Sequence, residues 1–260
     1  MSGNSKKGSI VFKIIVCILL AALAAGEIKL WLDLQKLKED NQTQFSVNQQ
    51  LTKMLENMQN SDANSDRGTW TDIPEDILDR ITGNSLMSDS PVSADELAYL
   101  TLPYYNFDGE IAEGHMIASK DMADEILDIF EELCQNQYPI ESMDIAENFS
   151  ENITAVLDSL EAASMGSNNT TALMYRKRDG EFDNAAYGQA IDLNPKINPE
   201  VTEEGTTPRN ALDYKERDAS KLDSTEKWAF IDEDSDVVRI FEKYGWTWRG
   251  NDGFYGRFEK

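Results

Sequence analysis

The sequence predicts an α+β domain held outside a membrane on a helical stalk, and three observations predict it. A charge-free apolar run near the start reads as a membrane segment, amphipathic helical spacing and short apolar/polar alternation share the region from residue 100 onward, and Gly and Pro fall where those elements must end. The 260 residues hold one sizeable core plus an appendage. With 24 Lys+Arg against 48 Asp+Glu, the formal charge is −24. So acidic a surface repels phosphate backbones and argues against a nucleic-acid partner. Residues 1–40 carry six basic and four acidic side chains, which leaves 18 against 44, so the acidic excess belongs to the chain beyond the first apolar run. Cys17 lies in that run and Cys134 is the other cysteine, so no disulfide forms within the domain. The single histidine, His115, excludes any mechanism that needs two or three imidazoles.

Taken in order, residues 1–8 form a cytoplasmic tail and 9–32 a single transmembrane signal anchor. Lys6 and Lys7 precede the run, and Ile14 to Gly26 is free of charge. Lys13 can snorkel to the headgroups, and the basic side before the run places the domain on the extracytoplasmic side of the cell membrane. A cleaved signal peptide is the rival, because Ala22-Leu-Ala24 resembles a cleavage site. Amphipathic helix continues through that point, which favours the anchor. Residues 33–60 read as a helical stalk: Leu34, Leu37, Leu51, Leu55 and Met58 share one 3.5-residue frame, while Asn41, Gln44 and Asn48 interrupt it. Weak self-association and a solvated single helix both satisfy that pattern. Residues 61–99 read as a linker, polar over Ser61 to Gly68, then a short helical pattern (Ile73, Ile77, Leu78, Ile81) ahead of Pro91.

The domain itself is expected over 100–260. Met122, Ile126, Ile129, Phe130 and Leu133 recur at helical spacing after Ser119, an N-cap type, and the helix must stop before Pro139. Ala190 to Asn194 alternates and ends at Pro195, so it reads as a strand with Asp192 and Asn194 on one face. A second helix covers Asp236 to Tyr244 and stops at Gly245, after which Trp246 and Trp248 alternate in a strand that packs the core. His115 reads as an exposed turn residue leading into the first helix, since no second ligand stands at a zinc spacing from it. No EF-hand spacing is visible among the acids.

Several short stretches agree in order with one family: Phe107-Asp-Gly109, Tyr138-Pro-Ile140, Ser164-Met165, Asn168 to Thr171, Tyr175-Arg176, Tyr187 to Pro195, Asn198-Pro199, Pro208, Arg217, Gly245 to Trp248 and Phe258-Glu259. The domain resembles the D-alanyl-D-alanine carboxypeptidase and L-alanyl-D-glutamate endopeptidase family of zinc peptidases, VanY-like enzymes that cut peptidoglycan stem peptides. The resemblance implies a hedgehog/D-Ala-D-Ala-peptidase-like fold, α+β with a small antiparallel sheet flanked by helices. It also implies a motif Ser-x-His-x-x-Gly-x-Ala-x-Asp, whose His and Asp hold zinc, and this falls on Asp183 to Asp192. Asp192, Gly188 and Ala190 match. Ala185 stands at the ligand His and Asp183 at the Ser. The closing motif falls on Phe254 to Phe258, with Phe254 in place of the carboxylate base and Arg257 in place of the last ligand His. Arg176 matches the arginine that binds substrate in the family, and Arg176, Tyr187 and Asp192 are the expected substrate-binding residues.

A catalytic zinc needs three protein ligands and an open position, and neither Ala nor a guanidinium offers a lone pair. Arg257 also brings a fixed positive charge to the place of the dication. The expectation is therefore a pseudoenzyme without cofactor, whose Arg257 either pairs with Asp192 or points into solvent and leaves Asp192 hydrated, and whose partners are peptidoglycan stem peptides or an envelope protein. Arg176 is expected either to hold a peptide carboxylate or to serve an ion-pair network. The alternatives are an active peptidase that holds zinc through a non-standard site, and a structural spacer in an envelope complex.

Overall fold

The computed structural model describes residues 67–260, together with Lys29, Gln35 and Lys36, which are helical. The chain divides into two compact units, Met1–Asn64 and Ser65–Lys260. The transmembrane segment expected over 9–32 and the stalk over 33–60 otherwise lie outside the described residues. Among the described residues no helix is long and apolar enough to cross a membrane.

The second unit is an α+β domain. Its main sheet is built on β2 (Leu97–Asn106), flanked by β1 (Thr69–Thr71) and β3 (Ile111–Ser119), with β4 (Pro139–Ile140) beside the end of β2. Strand β2 alternates in the way a half-buried strand must: Leu100 and Leu102 are fully buried and Thr101 between them is not. Strands β1 and β3 run antiparallel to β2, but β4 runs parallel to it. A second parallel pair joins β5 (Ser142–Met143) to β6 (Asn169–Thr170). The small sheet expected to be antiparallel is therefore mixed. The reason is the connection: the chain returns from β3 through a whole helix before β4, which brings it back in the direction of β2.

Helix α1 (Glu75–Ile81) precedes the sheet, and helix α2 (Ala123–Gln135) covers it with Ile126, Ile129, Phe130 and Leu133 turned inward. Ser119 introduces a 3-10 turn over Lys120–Met122 ahead of α2, and its side chain makes no capping bond. Helix α3 (Leu160–Gly166) leads to β6, and the hairpin of β7 (Lys177–Arg178) and β8 (Glu181–Phe182) leads to β9 (Ala190–Asp192). After the hairpin of β10 (Glu200–Val201) and β11 (Thr206–Thr207) come α4 (Ser224–Ala229), α5 (Asp236–Lys243), β12 (Thr247–Trp248) and β13 (Arg257–Glu259). Strands β12, β13 and β9 form an antiparallel sheet of their own.

Two expectations change here. Residues 69–99 do not behave as a linker, because Trp70 pairs with Leu100 and α1 buries Ile77 and Ile81 against Leu97, Ile117, Ile145 and Leu173. The compact unit begins at Ser65 rather than at residue 100. His115 is not on a turn: it sits within β3 opposite Thr101 and stacks on Tyr99, ring centroids 5.3 Å apart. The expected strand at Ala190 and helix at Asp236 are present. Trp246 is buried, and its indole donates to Glu125.

Candidate functional site

The register of β9 and β13 builds the site. Ile191 opposes Phe258 and both point into the core, where Phe258 stacks on Phe241 at 3.9 Å. Alternation then turns Asp192 and Arg257, also directly opposite, to the other face. Asp192 is further fixed by backbone hydrogen bonds with Thr171 on its other side. The Arg257 guanidinium meets its carboxylate in a two-point fork, Nε to Oδ1 at 2.9 Å and Nη2 to Oδ2 at 3.1 Å. The pair anticipated from the sequence is thus formed, and Arg257 is only 3% exposed.

The pair does not stand alone. Arg176 donates from Nη2 to Asp192 Oδ2 at 2.9 Å and from Nε to Glu161 on α3. Asp183 receives Arg257 Nη1 at 3.0 Å and Arg178 Nε at 3.2 Å. Arg178 forks onto Glu200, both bonds 3.1 Å. Asp183 is held by its own turn, since it caps the 3-10 segment Asn184–Tyr187 by accepting from Ala185 N. Arg257 Nη1 also reaches Glu259 at 3.4 Å, and Glu259 accepts from Arg249 at 2.6 Å, so four guanidiniums and five carboxylates join in one network. Phe254 fills its open side, with Arg178 4.5 Å from the ring centroid and Arg257 5.9 Å away.

Charge follows geometry. Burial pushes the Asp192 carboxyl above its ordinary value, and Arg176 pulls against that. Burial works against the Arg176 guanidinium too, but Glu161, Asp192 and Asp183 overcome it and hold the proton more firmly than usual. Arg178 behaves likewise, with Glu200 prevailing over burial. These are fixed cations in the middle of the site. The space left among Met165, Arg176, Asp192, Asn198, Phe254 and Arg257 is about 10 Å³, room for one water at most.

The positions anticipated from the sequence are brought together unequally. Arg176, Asp192, Phe254 and Arg257 converge. Ala185 is buried beside Ala146, Met174 and Ala190 in a small apolar cluster, and Tyr187 is half-buried and does not line the hollow. Glu161, Arg178 and Glu200 were missed. Only their charge was visible in the sequence, and no local spacing signals a partner 15 to 22 residues away.

The zinc implied by the resemblance does not fit these residues. Of positions 185, 192 and 257, Asp192 alone offers lone pairs, and both of its oxygens accept from guanidiniums. Among the described residues no group of three or more His, Cys, Asp and Glu is placed to hold a metal. Nor is a general base poised: every carboxylate in the network is in contact with an arginine.

No curated protein matches the chain, and no solved structure does. A family model does match, over residues 179–255, a span that takes in Asp183 to Asp192 and Phe254 and stops two residues before Arg257. It is described as D-alanyl-D-alanine carboxypeptidase, and over those residues this chain is similar to that family.

Proposed function

We propose that this is a membrane-anchored, extracytoplasmic domain of peptidoglycan-peptidase type that does not hydrolyse and works by binding, with cell-wall peptides or an envelope protein as its partner. One observation carries the reading: the Asp192 carboxylate is forked by Arg257, at the position where the resemblance implies a ligand histidine. A guanidinium cannot ligate, and it supplies the positive charge that a cation would otherwise bring. The space of about 10 Å³ beside it supports the absence of hydrolysis, since a scissile peptide has no room to reach Asp192, and it puts the binding of a partner on another surface of the domain.

The test uses the full chain in detergent micelles. Metal content after dialysis against zinc, muropeptide digestion with added Zn²⁺, and co-sedimentation with purified sacculi are measured together. Metal-free, inert protein that sediments with sacculi is the expected result. Stoichiometric zinc with release of an amino acid overturns it and restores an active peptidase with a non-standard ligand set.

A further inference from the structure

A roomier hollow, about 320 Å³, opens between the end of α2, α4 and the start of α5. Ligand pockets begin near ~300 Å³ and pair an apolar lining with a few polar groups. This one has a buried apolar floor of Tyr138, Val237 and Ile240. Its wall is formed by Phe230 and Trp228, and the Trp228 side chain is left 70% exposed. That exposure is built in. Ala229 beside it is fully buried, and its carbonyl accepts from Tyr138 Oη at 2.7 Å and Asn198 Nδ2 at 2.8 Å, so the end of α4 is pinned and residue 228 must face out. The indole nitrogen of Trp228 has no acceptor among the described residues.

The rim is acidic. Asp236 pairs with Arg239, and Asp232 is engaged by Ser235, but the exposed carboxylates of Glu233 and Asp234 make no ion pair among the described residues. Lys227 is the one cation lining the hollow.

We propose that this hollow receives a peptide segment of a partner protein, whose apolar side chain enters it and whose flanking lysine or arginine lies over Trp228 and against Glu233 and Asp234. An indole face attracts a cation, and the acidic stretch 232–236, which brings Asp236 into the lining and Asp232 onto the lining Ser235, complements the same charge. An apolar side chain would exclude water from Tyr138, Val237 and Ile240, the kind of central anchor on which interfaces depend. An acidic segment would meet like charge along residues 232–236. The inference rests on the reading that the domain works by binding, and it names where and to what.

The experiment measures fluorescence anisotropy with the full chain in micelles and three labelled peptides. One has a central leucine flanked by lysines, one the same leucine flanked by glutamates, and one the lysines around a serine. The lysine-leucine peptide alone should bind, with affinity falling as salt rises. Trp228→Ala should weaken it about tenfold, and Glu233→Gln with Asp234→Asn about threefold with a flatter salt dependence. Glu75→Gln with Asp76→Asn on α1 should change nothing. All these side chains are exposed, so an unchanged melting midpoint confirms the fold. Equal binding of the serine peptide, meaning attraction to net charge alone, overturns the proposal, as does binding of the glutamate peptide or indifference to Trp228→Ala. Glycan strands that bind through Trp228 while the peptide does not would also overturn it, in favour of a carbohydrate site. Failure of the peptide with metal-free, inert protein sinks this surface alone, whereas muropeptide cleavage sinks the binding reading beneath it.

Discussion

The guanidinium of Arg257 and the carboxylate of Asp192 face each other across paired strands and share two hydrogen bonds of 2.9 and 3.1 Å. Their removal should not cost the same. The network holds Arg176, Arg178, Arg249 and Arg257 against Glu161, Asp183, Asp192, Glu200 and Glu259, so loss of an arginine deepens a negative imbalance and loss of Asp192 relieves it. Arg257→Met should cost about 3–5 kcal/mol, the usual consequence of removing one partner of a buried ion pair, because Arg176 and Arg178 are then left to offset a larger negative excess around Asp192 and Asp183. Asp192→Asn should cost clearly less, because Arg257 keeps Asp183 and Arg176 keeps Glu161. The double variant should sit above the sum of the singles by about 0.5–3 kcal/mol. Urea denaturation of the four proteins checks this, and equal costs for the two singles would mean the imbalance is not felt.

Zinc affinity should be recoverable by substitution. Arg257→His, Phe254→Glu and Ala185→His together supply the ligands and base that the resemblance implies beside Asp192. The histidine at 185 must enter a position 1% exposed, which costs about 1–3 kcal/mol of overpacking. Metal binding offsets that cost. The expected outcome is a melting midpoint that rises with added Zn²⁺ in the triple variant and not in the natural chain. Identical behaviour of the two would show that the motif is out of register with positions 185 and 257.

How far the sequence could be read is clearest at this site. Asp192 was legible because strand alternation fixes the face it occupies, whereas Phe254 and Arg257 were legible only through the motif that the resemblance implies, and opposite charge allowed the Arg257–Asp192 pair without deciding it against a solvent-facing Arg257. Glu161, Arg178 and Glu200 were not, because the contacts that recruit them join separate elements. The same limit applies to β4. Pro139-Ile140 gives no sign of whether it lies parallel or antiparallel to β2, since direction is set by the helix in between. His115 was misplaced because Glu113-Gly-His carries a turn residue, Gly114, that here serves close packing. A Cβ on it would lie 2.7 Å from the carbonyl oxygen of Met143.

Gly188 ties the motif's turn to the main sheet. Its φ is +66°, and an added Cβ would lie 2.6 Å from the backbone nitrogen of Ser119, which already donates to the Gly188 carbonyl at 2.9 Å. Both strain and backbone contact oppose a side chain there. Gly188→Ala should lower stability by more than about 1 kcal/mol and loosen the cap at Asp183, earlier in the same turn. Thermal unfolding measures the first effect, and amide exchange at Ala185, whose N–H caps onto Asp183, the second. Protection at Ala185 equal to that of the natural chain would separate the turn from the cap.

One carboxylate outside the site gives a pH signature of defined sign. Hydrogen bonds from Lys177 and Tyr175 hold Asp89 below its ordinary 3.8. A carboxylate depressed in the folded state adds stability above its unfolded value, and that stability is lost as pH falls through the folded one. Asp89→Asn should therefore be destabilising at pH 7, by a small amount for so exposed a group. The difference should shrink below about pH 4 and vanish at lower pH. A difference that persists at pH 2 would assign the effect to packing of the loop rather than to charge.

Residues 65–99 should prove indispensable. They supply β1 and α1, and with Leu97 and Ala98 they bring several fully buried apolar groups to the edge of the main sheet. Ile77 and Ile81 pack on Ile117, Ile145 and Leu173, which would face water without them. Each such side chain contributes about 1.5–3 kcal/mol on burial. Three or four of them approach the ~5–15 kcal/mol that holds a whole domain. A fragment of residues 65–260 should unfold in one cooperative transition, and a fragment of residues 100–260 should show none and expose apolar surface to a fluorescent dye. Matching melting curves for the two would show that β1 and α1 rest on the domain without holding it, and would return the boundary to residue 100.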